Sequence, residues 1–231
     1  MRKSLLIVFL VLGCLTAAAQ RLTTDSVLFS AYLHEDMGVW KAYIDHALNS
    51  QPSTLNSQPS TLNSQPSTLN PQLLYAYGYC GYIVAEAKKE GKESLLPEAK
   101  RYVQNFKSQV EQLHSLSCRK GKGVGLPAGH YEMYMSAVYI FEMRLKESVH
   151  PVTAMQLAKE ATRLAPNDPL VLSFYGTCLF YAPRPIGSKA EALEWFERAQ
   201  THFAAPEYRF SWVREANEMY IRQCREKLKK R

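Results

Sequence analysis

The chain has 231 residues, 46% of them hydrophobic, and a formal net charge of +7. This length suits one domain or a short helical solenoid. Part of the basic excess lies in the run 225–231, without the base-reading face that a nucleic-acid-binding protein needs, so we expect no nucleic-acid partner. No segment after the N-terminus approaches the about 20 apolar residues that cross a bilayer, which excludes a multi-pass membrane protein.

Residues 1–19 have the pattern of a secretory signal peptide. Arg2 and Lys3 precede the apolar run 5–12, and the small residues 17–19 follow it. A positive start, a short apolar segment and small residues before the cut are typical of exported chains. We therefore expect cleavage after Ala19 and a periplasmic location.

An alternative processing site stays open. The run Val11-Leu12-Gly13-Cys14 is similar to a bacterial lipoprotein box, in which the cysteine is acylated. Processing there would leave a lipid anchor at Cys14 and hold the protein at a membrane. The two sites differ in whether the exported protein diffuses freely.

Residues 49–70 form a low-complexity segment in which the unit Asn-Ser-Gln-Pro-Ser-Thr-Leu occurs three times. The proline of each unit opposes helix formation, and one apolar residue per unit is too few for a coiled-coil seam. The segment is predicted to be a flexible insertion. It separates N-terminal helices within 20–48 from a helical domain over 71–231.

Outside this insertion, apolar positions recur with a period near 3.6, which is typical of amphipathic helices. Helices are predicted over 25–33, 37–48, 72–90, 95–116, 131–146, 152–164, 169–181, 189–204 and 211–230. No convincing strand pattern occurs in the second half of the chain. The sequence therefore predicts an all-α protein built from antiparallel helix pairs.

The spacing of small residues from Thr153 onward carries a resemblance. The relevant positions are Ala154, Ala158, Ala161 and Pro166, then Leu172, Gly176 and Leu179, then Ala192, Phe196 and Ala199. This order resembles the tetratricopeptide repeat (TPR), a pair of antiparallel helices. The resemblance implies a short TPR-like α-solenoid whose small residues let paired helices approach closely, with Phe196 between them.

The pattern departs from the family in the turn 182–188, which lengthens the second repeat. Before residue 129, only the rhythm of helix pairs matches. A lengthened turn after an aromatic helix end is similar to that of exported bacterial TPR-like proteins, including the periplasmic TPR component of some TRAP-type transporters.

The resemblance implies a scaffold that binds an envelope protein or peptide and has no catalytic activity. The groove-facing positions of the family correspond to Ser173, Thr177 and Phe180, with Tyr134, Val138 and Phe141 in the preceding repeat. The alternative that Phe141 and Phe180 are ordinary core residues stays open.

Catalysis and cofactor binding have no motif in the sequence. The six histidines are scattered, without HExxH or GxSxG, and no Cys/His cluster has zinc-ligand spacing. The glycine-rich run 120–127 lacks the GxxxxGK[ST] pattern of a phosphate loop. We expect no enzyme, no cofactor and no metal site.

A second function fits the aromatic content. Tyr75, Tyr79, Tyr131 and Trp195 could line a cavity between helices that holds a small molecule for a transport system. Four cysteines follow the predicted leader, namely Cys80, Cys118, Cys178 and Cys224, and their number permits disulfides in an oxidising compartment. Buried free thiols are the preferred interpretation.

Overall fold

The computed structural model describes residues 24–49, 71–120, 125–147, 150–209 and 211–229, without the side chains of 47–49, 71 and 117–120. The predicted signal peptide, Cys14, the insertion beyond Asn49 and residues 121–124 of the glycine-rich run lie outside the described residues. These remain predictions.

The described residues form helices and no strands, which confirms the all-α class. In chain order the helices are α1 (24–33), α2 (Met37–Asn49), α3 (Pro71–Glu86), α4 (Leu96–Lys120), α5 (His130–Arg144), α6 (Pro151–Leu164), α7 (Pro169–Tyr181), α8 (Lys189–His202) and α9 (Trp212–Lys229). Within the described ranges, no helix combines the length and apolar character needed to cross a membrane.

Two helix ends differ from the sequence prediction by four residues. Helix α3 ends at Glu86 rather than at residue 90, because the amides of Lys88 and Lys89 bond to carbonyls three residues back. Lys89 N donates to Glu86 O at 3.0 Å, and Gly91 then takes a positive φ of 74°. Such tightening is common where helices end. Helix α4 continues to Lys120 rather than ending at residue 116.

Helices adjacent in sequence pack against each other from α2–α3 to α8–α9 across the described chain, with the α2–α3 contact spanning the insertion. In addition, α3 contacts α5, α5 contacts α7, and α7 contacts α9. The alternate helices thus form an inner layer, and α4, α6 and α8 lie outside it. This packing of helix pairs is consistent with a solenoid-like arrangement.

Small residues hold the helix pairs together as the sequence predicted. Ala158 and Ala161 of α6 and Ala192 of α8 are fully buried. A Cβ on Gly176 of α7 would lie 2.9 Å from the ring of Phe196, which is itself buried on α8. Since no larger side chain fits at residue 176 without displacing that ring, the predicted packing role of these residues is confirmed.

Buried polar side chains join neighbouring helices. Ser136 Oγ on α5 donates to Ala154 O on α6 at 2.7 Å, and Asn217 Nδ2 on α9 donates to Phe196 O at 3.0 Å. His130 Nε2 at the start of α5 donates to Asp168 Oδ2 at 2.9 Å. Because buried polar groups are costly unless hydrogen-bonded, these bonds fix how the helices are aligned.

Cys80, Cys178 and Cys224 are free and buried. Burial raises the pKa of Cys80 above its ordinary value and that of Cys178 to about 12. A buried neutral thiol is a weak nucleophile and behaves as a small core residue. The preferred interpretation of these three cysteines is therefore confirmed, while the side chain of Cys118 lies outside the described set.

Candidate functional site

The side chains predicted to line a groove are mostly inside the protein. Tyr134, Phe141, Ser173 and Phe180 are buried, and Val138 is fully buried. The core alternative therefore describes the positions of Phe141 and Phe180. That these residues bind a partner stays a prediction, and any partner would have to reach them through the packed interior.

The inner layer is filled by aromatic side chains from other helices. The ring of Tyr77 on α3 lies 6.1 Å from that of Tyr134, 6.0 Å from that of Phe141 and 5.9 Å from that of Trp212, between centroids. These spacings are typical of packed aromatic pairs. An open TPR would leave this face for a ligand, whereas here α3 and α9 occupy it.

The polar groove candidates are engaged within α7. Thr177 is half-buried, and its Oγ1 donates to Ser173 O at 3.0 Å, one turn back along the helix. Phe180 is covered by two cations, with Lys189 Nζ 3.9 Å and Lys227 Nζ 4.7 Å from its ring centroid. These contacts account for the three residues as parts of the fold.

The structure places a cavity of about 360 Å³ between α1, α2, α3 and α9. Four aromatic side chains line it, together with Met37, Gly78 and two carboxylates: Tyr32, Trp40, Tyr82 and Trp212, with Glu35 and Glu86. Tyr82 is 39% exposed, so the cavity opens to solvent on that side. Its volume is at the lower end of the range typical of small-molecule sites.

The aromatic rings that line the cavity pack against each other. The ring centroids of Trp40 and Trp212 are 5.6 Å apart at an edge-on angle, and Tyr32 lies 6.2 Å from Trp40 and 6.0 Å from Trp212. Trp40 is anchored further, because its Nε1 donates to Leu28 O at 2.8 Å. Because Trp40 is buried and held by this hydrogen bond, it fixes the positions of Tyr32 and Trp212, which line the cavity beside it.

Glu35, one of the two glutamates that line the cavity, lies at the end of helix α1. Helix α1 ends with Glu35 N bonded to Tyr32 O and Asp36 N bonded to Ala31 O, the pattern of a Schellman motif. Glu35 occupies the left-handed position, with φ of 58°, where glycine is the usual residue. The chain thus keeps a carboxylate beside the cavity at a position that favours a residue without a side chain.

The second carboxylate, Glu86 at the end of α3, pairs with Lys89. The Lys89 side chain is 63% exposed, so this pair contributes little to stability. The hydrogen bond that Lys89 donates to Glu86, and then the charge of Glu86, raise the pKa of Lys89, with Glu35 making a smaller contribution. The lining of the cavity thus includes two glutamates, one of which is paired with an exposed cation.

Trp212 carries a polar group as well as a ring. Its indole N–H is buried and has no acceptor among the residues that the structure describes. An indole N–H can only donate a hydrogen bond, and a buried donor without an acceptor is costly. This atom has almost no accessible surface, so the cavity is lined by the Trp212 ring and not by its N–H.

Gly78 is required where α3 passes beneath the two indoles. A Cβ there would lie 2.5 Å from a carbon of Trp40 and 2.8 Å from one of Trp212. We predict that Gly78→Ala destabilises the fold by about 1 to 3 kcal/mol, since it forces the rings apart. Urea unfolding followed by circular dichroism measures the loss.

Gly81→Ala is the matched control, in the same helix. Its Cβ would meet only Phe141 carbons at an ordinary 3.8 Å, so this variant should be neutral or more stable by up to about 1 kcal/mol. Equal effects of the two substitutions would contradict the predicted role of Gly78.

The aromatic residues proposed from the sequence lie elsewhere. Tyr75 and Tyr79 are buried in the core, Tyr131 stacks on His114, and Trp195 packs edge-on against Tyr175. None of the four lines this cavity. The residues that do line it come from four helices, and no local motif connects them.

Within the described parts of the chain, no three His, Cys, Asp or Glu side chains are grouped to hold a metal ion. The lining of the cavity consists mainly of aromatic and glutamate residues.

Comparison of the chain with protein-family models, curated proteins and solved structures found no match.

Proposed function

We propose that the protein is an exported, non-catalytic, TPR-like helical protein that binds a small molecule for a transport system. The observation that carries this proposal is the cavity of about 360 Å³ bounded by four aromatic rings. Two of these rings, Trp40 and Trp212, are edge-on to each other, so the wall is already ordered. A preformed aromatic cavity lowers the entropic cost of binding a small ligand.

Tyr82→Ala tests this function, because Tyr82 is the partly exposed ring at the mouth of the cavity. We expect native mass spectrometry of the gently purified protein to detect a bound small molecule, and the variant to bind it about tenfold more weakly, which corresponds to about 1.4 kcal/mol of lost contact. An empty wild-type protein, after equilibration with an extract of the producing cells, would contradict the proposal.

Tyr181→Ala is the control, because Tyr181 is also an exposed tyrosine, at 64%, and lies at the end of α7 outside the cavity. This variant should keep the bound molecule at the wild-type level. If both variants lose it equally, the loss reflects a general effect on the fold and not the cavity.

The scaffold function is the second candidate, and one observation favours it. Tyr181, which ends α7, and Ile186, within the turn that follows, are 64% and 52% exposed. Exposed aromatic and apolar side chains are typical components of protein contacts. The same pair of variants separates the two functions, since crosslinking to an envelope protein in intact cells should depend on Tyr181 and not on Tyr82.

A further inference from the structure

We propose that the cavity of α1, α2, α3 and α9 selects a small organic ammonium ion. This inference rests on the proposed small-molecule function and names its ligand class. It follows from the pairing of electron-rich ring faces with carboxylates at one site. A neutral apolar ligand would contact the rings but would not be attracted by the carboxylates.

The rings supply the first part of the recognition. Tyr32, Tyr82 and Trp212 line the cavity. Trp40, which is 1% exposed, supports them from the core, with its ring centroid 6.2 Å from that of Tyr32 and 5.6 Å from that of Trp212. The faces of tyrosine and tryptophan carry negative potential and attract cations, and quaternary ammonium groups are recognised by such aromatic enclosures.

The carboxylates supply the second part, in a protein whose formal net charge is +7. Glu35 and Glu86 line the cavity, and Glu215 lies in the first turn of α9, three residues after Trp212. Lys89 offsets one of these charges from an exposed position. The local balance is therefore acidic, which attracts a cation and repels an anion.

Glu35 lies at the end of α1 in a left-handed backbone conformation, with φ of 58°. This conformation is unfavourable for residues other than glycine, asparagine and aspartate, so the glutamate weakens the helix end. Lys146 ends α5 in the same conformation, so it is the charge of Glu35 beside the cavity, and not its backbone, that bears on the ligand.

The experiment is fluorescence titration with choline, a small quaternary ammonium ion, and with 3,3-dimethylbutan-1-ol, its neutral isostere. Of the three tryptophans, Trp195 lies outside the cavity, so Trp195→Phe leaves Trp40 and Trp212 as reporters. We expect choline to bind at least about tenfold more tightly than the neutral alcohol, with added salt weakening only choline.

Three variants extend the titration. Glu35→Gln should weaken choline binding about threefold, the size typical of a solvent-accessible charge pair. Lys89→Gln should strengthen it about threefold, because it removes the competing ammonium. Binding that is unchanged in both variants would overturn the inference, since a merely structural role predicts no gain on removing a cation.

Glu35→Gly separates binding from folding. Glycine suits the left-handed position, so this variant should have a higher melting temperature and still bind choline more weakly. Lys146→Gly is its control, because Lys146 ends α5 with φ of 61° in the same motif; it should be more stable with choline binding unchanged.

The outcomes distinguish the two proposals. If a small molecule copurifies but the neutral alcohol binds as tightly as choline, the ammonium assignment is overturned and the binding function stands. If nothing copurifies and neither probe changes the fluorescence, both are overturned.

Discussion

Trp40→Ala is expected to cost about 3 to 5 kcal/mol of the free energy of unfolding. Trp40 is 1% exposed, its Nε1 donates to Leu28 O, and its ring packs edge-on against Tyr75 at 5.1 Å as well as against Trp212. Truncation would leave a large void and a carbonyl without its donor. A typical domain has about 5 to 15 kcal/mol in total, so this loss approaches the limit of folding.

Urea unfolding followed by the helical circular dichroism signal measures this effect. Trp195→Ala is the matched control, since Trp195 is only half-buried and packs against Tyr175 and Arg198 at the surface of α8. Its loss should be clearly smaller. A cost below about 1 kcal/mol for Trp40→Ala, the size of an average substitution, would mean that the indole is not packed as described.

Asp168→Ala is the second large effect, with an expected cost of about 3 kcal/mol or more. Asp168 caps α7, because its Oδ1 accepts from Leu170 N at 2.9 Å, and its Oδ2 accepts from the buried His130. The substitution therefore removes a helix cap and leaves the His130 ring, which is 1% exposed, without its hydrogen-bond acceptor. Asp168→Asn keeps a capping oxygen and should cost less.

The same carboxyl gives a pH dependence with a definite sign. Burial acts to raise the pKa of Asp168, but the hydrogen bond and charge of His130 and the amides of Val171 and Leu170 outweigh it, so the pKa is lowered. Its stabilising contribution is thus present above about pH 4, the ordinary value for aspartate, and is lost as pH falls through the lower folded pKa.

Chemical unfolding of wild type and Asp168→Asn over a series of acidic pH values tests this sign. The difference in stability between them should shrink as pH falls below about 4. A difference that stays constant, or grows toward acid, would contradict the assigned role of the carboxylate.

The helical framework could be predicted from the sequence because its signals are local. The predicted bounds of α7 match the observed ones, and the spacing of Ala158, Ala161 and Gly176 predicted where helices touch. Ends set by fine turn chemistry, such as that of α3 at Glu86, could not be predicted as well, since several competing hydrogen bonds differ little in energy.

The candidate site could not be predicted for a different reason. Tyr32, Trp40, Tyr82 and Trp212 belong to four helices, and only the packing of the whole chain brings them together. The groove prediction depended on an inner face left open, whereas Tyr77 and Trp212 fill it. The sequence of one helix does not indicate which aromatic side chain from a distant part of the chain will cover its face.

The meeting of Trp40 with Trp212 has a consequence for cooperativity. In an open array each unit contacts only its neighbours, and an end can unfold alone. Here α2 and α9, remote along the chain, share an indole contact, so detaching either one dismantles the cavity. The packing of α2 against α9 and the binding of a ligand in the cavity are therefore linked. A ligand there would contact helices from both ends of the described chain and so stabilise the whole helical array.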